Sequence, residues 1–238
     1  LFTIPVTSFR YFPAGEGTFV RPLAFIPLAV LLITLAVQAL AGQRSLPGAG
    51  SLTPLTAFVL IALASSLVGL LLAPVPLRGQ EIGARAIRAW ITLLMGIGFF
   101  LGAVWMNRTE PDWRFSVRWL LAGFVLDAMW SGLQAATFYL ELLPKPLVTQ
   151  WQRTFSLREL IRTNRISGMA YEPSWLAGQI ATVYMPWLLA AVLTRVRVAR
   201  FRWLEPCLLV VAGAMVLATY SRGGILTTVV SVVLTVVL

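Results

Sequence analysis

Apolar residues fill the long intervals between widely spaced charges. The intervals Arg21 to Arg44, Arg44 to Arg78, Arg88 to Arg108, Arg118 to Glu141, Glu172 to Arg195 and Glu205 to Arg222 carry no charge apart from Asp127 in the fourth. A seventh apolar run starts at Ile225 and continues to Leu238. About 20 residues cross the hydrocarbon core of a bilayer, and a single segment satisfies its own backbone there only as a helix. The pattern therefore predicts an all-α, polytopic transmembrane helical bundle of about seven spans. The β-branched tail TTVVSVVLTVV is read as helix for the same reason. Residues 1–238 form one expected integral membrane domain, with a polar loop over 139–171. The chain begins at Leu1 without an initiator Met and ends inside an apolar run, the pattern expected of a piece of a longer protein truncated at both ends.

Composition narrows the class. Only 12% of the 238 residues are charged, about half the share of a soluble domain. The net charge of +10 is therefore assigned to loops flanking membrane helices, with the lipid bilayer and not nucleic acid as the partner. Lys145 is the only lysine, so the basic groups are almost all arginines, which grip phosphate and carboxylate as a bidentate fork. The chain has no His and a single Cys207. That excludes His-based acid–base chemistry, His-ligated metal and an internal disulfide within it. No nucleotide-binding glycine loop, HExxH or CxxC occurs, and neither a cofactor nor a metal is expected.

The loop containing Arg195, Arg197, Arg200 and Arg202 carries no acid before Glu205 and is read as cytoplasmic. Alternation then places 42–51 and 107–117 inside, with the N-terminus, 74–88, 139–171 and the turn at 220–224 outside. The outer loops hold more arginines than the inner ones, against the positive-inside bias: either the orientation is the reverse, or those arginines have a task that outweighs topology, the reading favoured here. Gly98 and Gly102 form a small-xxx-small pair expected to let two helices approach closely.

The extracytoplasmic loop 139–171 is the longest. From Trp151 it reads as an amphipathic surface helix on which Trp151, Phe155, Arg158 and Arg162 share a face, with Arg165 joining if the helix persists. Such a stripe suits either a helix snorkelling its arginines to lipid phosphates or a site. Glu172-Pro173-Ser174 then opens the fifth span: Pro fits the first helical turn and a preceding carboxylate complements the positive helix end. Beside Arg165, free N–H groups at that end would favour an anion. Ser221-Arg222-Gly223-Gly224 reads as a hairpin in which glycines supply positive backbone dihedrals. Asp127 and Gln134, two turns apart on one helix face, serve either a helix-packing hydrogen bond or a polar central cavity.

Arg165-Ile-Ser-Gly168, Glu172-Pro173-Ser174-Trp-Leu-Ala177 and Ser221-Arg222-Gly223-Gly224 together resemble the O-antigen ligase and polymerase family of bacterial envelope polysaccharide enzymes. The resemblance covers about 155–238. It implies an inner-membrane, metal-independent glycosyltransferase of 10–12 spans with its active face in the periplasm, so that a truncated chain would be inactive alone. The donor would be a glycan on undecaprenyl diphosphate, transferred to an acceptor hydroxyl on a glycan, lipid or protein in O-antigen, lipopolysaccharide or exopolysaccharide synthesis. By this resemblance Arg165, Arg222 and Glu172 are catalytic, with Glu172 positioning Arg165, and Arg158, Arg162, Ser174 and Ser221 bind substrate. A lipid-linked glycan flippase or transporter, and a non-catalytic membrane subunit of a polysaccharide assembly complex, are the competing expectations.

Overall fold

The computed structural model describes residues 1–11, 21–43, 45, 48–72, 82–157 and 164–237. Among these the chain is helical, with no strand beyond two isolated bridges, Ser8 to Arg21 and Phe9 to Ser156. The helices are α1 (Phe25–Leu40), α2 (Ala49–Leu72), α3 (Ile82–Met106), α4 (Glu110–Tyr139), α5 (Lys145–Phe155), α6 (Pro173–Gln179), a π-helical turn (Ile180–Tyr184), α7 (Met185–Thr194), α8 (Leu204–Ala218) and α9 (Arg222–Val237). The all-α expectation holds. Three helical stretches are long and apolar enough to cross a membrane: Leu52–Leu72, Ile82–Met106 and Pro173–Thr194. α1, α8 and α9 are apolar but shorter; a 16-residue helix rises about 24 Å, below the roughly 30 Å of a hydrocarbon core.

The chain divides into two compact units: Leu1–Ala24 with Arg114–Leu238, and Phe25–Trp113. In the smaller unit α1 packs on α3. A Cβ at Gly98 would lie 3.3 Å from Leu32, and one at Gly102 would lie 3.2 Å from Leu28, so the glycine pair has the close-packing role its spacing predicts. Trp90 donates to Ser66 Oγ at 3.2 Å, tying α3 to α2. None of the Leu52–Leu72 stretch is buried, an apolar surface suited to lipid. The sequence Thr109-Glu-Pro-Asp112 starts α4: Asp112 Oδ2 accepts the Thr109 N–H at 3.0 Å, half of a capping box.

In the larger unit α4 carries an inner polar stripe. Ser116, Asp127, Ser131, Gln134 and Thr137 are buried, interleaved with Val117, Leu120, Leu121 and Phe124. The 22-residue stretch Pro173–Thr194 is one helix interrupted by the π turn. Pro186 explains the interruption: it has no N–H to return to Thr182 and its ring crowds that carbonyl. The helix widens there, and the Met185 N–H reaches back five residues to Ile180, as in other π-bulges. Phe124 of α4 stacks on Tyr184 of this turn at 4.7 Å.

The loops of this unit sort to two ends. At one, Arg114 and Arg118 donate to the carbonyls of Arg197 and Val198. At the other, Tyr139 Oη donates to the carbonyls of Asn164 and Ala218 at 3.0 and 3.3 Å. Residues 195–203 and the Arg165/Arg222 region therefore lie at opposite ends of this unit. Arg118 to Tyr139 rises about 32 Å along α4.

Two sequence expectations change. The helix carrying Trp151 ends at Phe155, where the Ser156 N–H closes on Gln152, so Arg165 does not extend its stripe. Arg158 and Arg162 lie outside the described residues. The hairpin also differs: Tyr220 takes the left-handed conformation, φ 49°, while Gly223 and Gly224 lie within the first turn of α9.

Candidate functional site

The site is assembled where the turn between α8 and α9 meets the loop that leads into α6. Thr219 Oγ1 donates to the Val216 carbonyl at 2.6 Å and accepts the Ser221 N–H at 3.2 Å, which ends α8. Ser221 then caps α9, its Oγ accepting the Gly224 N–H at 3.2 Å, the usual bond from an N-cap hydroxyl to the third helical residue. Arg165 closes on this turn. Its Nε donates to the Thr219 carbonyl at 2.7 Å, and its Nη2 makes a longer contact of 3.4 Å with the Tyr220 carbonyl. A cation at a helix C-terminus also meets the negative end of its dipole. The carbonyls of the α8–α9 turn thus orient Arg165. Arg222, two residues beyond Tyr220, starts α9 with its side chain exposed.

The glycines do something other than turn the chain. A Cβ at Gly224 would lie 2.2 Å from Ala177 Cβ, so the absence of a side chain lets α9 touch α6. Ala177 is fully buried. The Ala of the Glu-Pro-Ser-Trp-Leu-Ala stretch and the second Gly of Ser-Arg-Gly-Gly are therefore one contact, although they lie far apart in sequence.

Gly168, φ +57°, turns the approach loop. A Cβ there would lie 2.4 Å from Asp127 Oδ1 and 2.9 Å from Ser131 Oγ. Two α4 side chains hold the loop by three successive N–H groups. Gln134 Oε1 accepts from Ser167 and Gly168 at 3.0 Å each, and Asp127 Oδ1 accepts from Met169 at 2.7 Å. Gln134 Nε2 in turn donates to the Gly168 carbonyl at 3.2 Å and to Gln152 Oε1 of α5 at 3.0 Å. The shared face of Asp127 and Gln134, which left helix packing and a polar cavity both open, is a clamp on the segment bearing Arg165. Gln134→Leu should strand two buried N–H groups at a cost of about 2–4 kcal/mol. Amide exchange at Ser167 and Gly168 should then accelerate at least roughly a hundredfold; unchanged protection would contradict the clamp.

Glu172 is the extended residue before α6 and Pro173 its first helical residue, as the sequence predicts. The helix start offers fewer free donors than expected. Pro173 has none, and the Trp175 and Leu176 N–H groups both turn to the Glu172 carbonyl. Ser174 Oγ, exposed, makes a long 3.5 Å contact with Glu172 Oε2.

The N-terminal segment supports the same region. Thr7 Oγ1 accepts the Tyr171 N–H at 2.8 Å, Ser8 and Ser156 share a 2.5 Å hydroxyl bond, and Arg10 Nη1 donates to the Arg153 carbonyl at 2.8 Å. Thr7 and Gln152 escaped sequence reasoning because nothing in their local pattern marks them. Asp127 and Gln134 carried a signal, polar residues in an apolar run.

The geometry brings Arg165, Ser221 and Arg222 to one turn and joins Glu172 and Ser174 to it through the Ala177–Gly224 contact. The Arg165 guanidinium is bonded to the Thr219 carbonyl with a longer contact to that of Tyr220, and Arg222, at the start of α9, is exposed; guanidinium forks of this kind suit an oxyanion. Among the described residues no cluster of His, Cys, Asp or Glu could hold a metal ion. No family model, no curated protein and no solved structure matches this chain.

Proposed function

We propose that this chain carries the anion-binding core of a bacterial inner-membrane glycosyltransferase, one that moves a glycan from undecaprenyl diphosphate to an acceptor hydroxyl in envelope polysaccharide synthesis. The observation that carries the reading is the convergence of Arg165 on the turn that launches Arg222, fixed on both sides by the Ala177–Gly224 contact and the Asp127–Gln134 clamp. Residues unremarkable one by one are packed as a unit, and the unit presents cations.

The chemistry follows from charge. The acceptor oxygen attacks the anomeric carbon, the bond to the diphosphate oxygen breaks, and negative charge grows on the departing lipid diphosphate. Fixed guanidinium groups stabilise that charge most as it develops. Arg165 is pre-oriented by the Thr219 and Tyr220 carbonyls, and Arg222 adds an exposed second fork. In this reading Glu172, the residue before α6, takes the acceptor hydroxyl proton. Ser174 and Ser221 sit at the two helix starts that border the anion. In this reading the Arg165/Arg222 end faces the periplasm and the 195–203 end the cytoplasm. Use of Asp127 as a loop clamp weighs against a transport path, which would want that carboxylate in a cavity.

Transfer from purified undecaprenyl-diphosphate oligosaccharide, assayed with the intact membrane protein, tests the proposal. Arg222→Gln should lower kcat at least about a hundredfold with helix content unchanged, since the side chain is exposed. Transfer at the wild-type rate by a folded Arg222→Gln protein would remove the site.

A further inference from the structure

The opposite end of the larger unit holds a cavity of about 660 Å³ lined by Arg118, Arg197 and Arg200 together with Leu121, Val125 and Phe201. We propose that it is a binding site for the phosphate headgroup of an anionic phospholipid, with an acyl chain running along the α4 wall. The inference rests on the membrane reading of the chain but is independent of glycan transfer.

Four features support it. The cavity is amphipathic in a directional way: its arginines lie on the loop and one turn into α4 from Arg114, while Leu121 and Val125 continue along α4 into the apolar length of the helix. A free inorganic anion has no use for that wall, whereas a phosphodiester with a hydrocarbon tail uses both halves. All three arginines are exposed, and no carboxylate lines the cavity.

The loop is also held in place before any ligand arrives. Arg114 Nη1 bonds the Arg197 carbonyl at 2.9 Å and Arg118 Nε the Val198 carbonyl at 3.0 Å. Buried Glu205 Oε1 accepts the Val198 and Ala199 N–H groups at 3.1 and 2.8 Å. Glu205 thus holds the loop backbone through Oε1, and Arg197 and Arg200 lie on that held loop. Phe201 and Trp203, stacked at 5.8 Å and both exposed, are the amphipathic rings expected at headgroup depth. Basic pockets between helices on the cytoplasmic side are characteristic headgroup sites.

The intact protein in detergent, titrated with phosphatidylglycerol, phosphatidylcholine or sodium phosphate and read by native mass spectrometry and thermal shift, tests the site. Phosphatidylglycerol should bind at least about tenfold more tightly than phosphatidylcholine, and millimolar phosphate should leave it bound. The double variant Arg197→Gln/Arg200→Gln should lose that preference with its helix content intact. Arg200→Glu, a single exposed change, should do the same if the double variant folds poorly. Equal binding of the two lipids, a preference that survives either folded variant, or displacement of the lipid by phosphate alone would overturn the proposal.

Discussion

Gly224→Leu should be the most damaging single substitution in the larger unit. Even the first carbon of a side chain would stand 2.2 Å from Ala177 Cβ and 3.2 Å from Ser221 Cβ and Oγ. A Cβ has no rotamer to escape into, so α9 must move away from α6, taking the Ser221 cap and the Arg165 anchor with it. Overpacking of this kind costs several kcal/mol. A loss of about 4 kcal/mol lowers the melting temperature of a protein this size by roughly 10 °C, and transfer activity should disappear with it. Gly224→Ala should show the same defect in milder form. Adding Ala177→Gly should restore much of it, because the contact is between two β-carbons. A Gly224→Ala protein that melts like the wild type would show that α6 and α9 do not touch as described.

Arg165→Ala should have the largest effect on function, for two reasons that can be separated. The side chain binds the turn at the C-terminal end of α8 through the Thr219 and Tyr220 carbonyls, and in the proposed reaction it faces the departing diphosphate. Loss of charge-assisted bonds to the turn should cost about 1.5–3 kcal/mol, seen in the melting temperature. Loss of a fixed cation at the reacting end should cost a further factor of about 100–1000 in kcat. Arg165→Lys keeps the charge but cannot offer the planar fork to two carbonyls at once. It should recover part of the stability and little of the rate. A lysine variant with full activity would reduce Arg165 to a point charge.

Much of this arrangement was legible in the sequence, and the limits have physical causes. The helices follow from uncharged runs, and α6 begins at Pro173 because a proline in the first turn is readable locally. Gly98 and Gly102 behave as their spacing implies. The glycines of Ser-Arg-Gly-Gly were misread because a turn and a close contact ask for the same residue. Only the packing partner, Ala177, distinguishes the two, and it lies on another helix. The left-handed residue proved to be Tyr220, which no propensity would select. Arg165 does not join the stripe of Trp151 and Phe155, because helical periodicity does not mark where a helix stops. The clamp was half visible: the spacing of Asp127 and Gln134 gave a shared face, but its target, three backbone N–H groups, has no side-chain signature.

The central claim is that Arg165 and Arg222 act on one anion. A double-mutant cycle on kcat/KM for transfer from undecaprenyl-diphosphate oligosaccharide tests it most directly, using the wild type, Arg165→Lys, Arg222→Gln and the double variant. If both guanidinium groups hold the same diphosphate, the double variant should fall short of the product of the single losses by about tenfold or more. Losses that multiply in full, or single variants that transfer at the wild-type rate, would contradict a shared site.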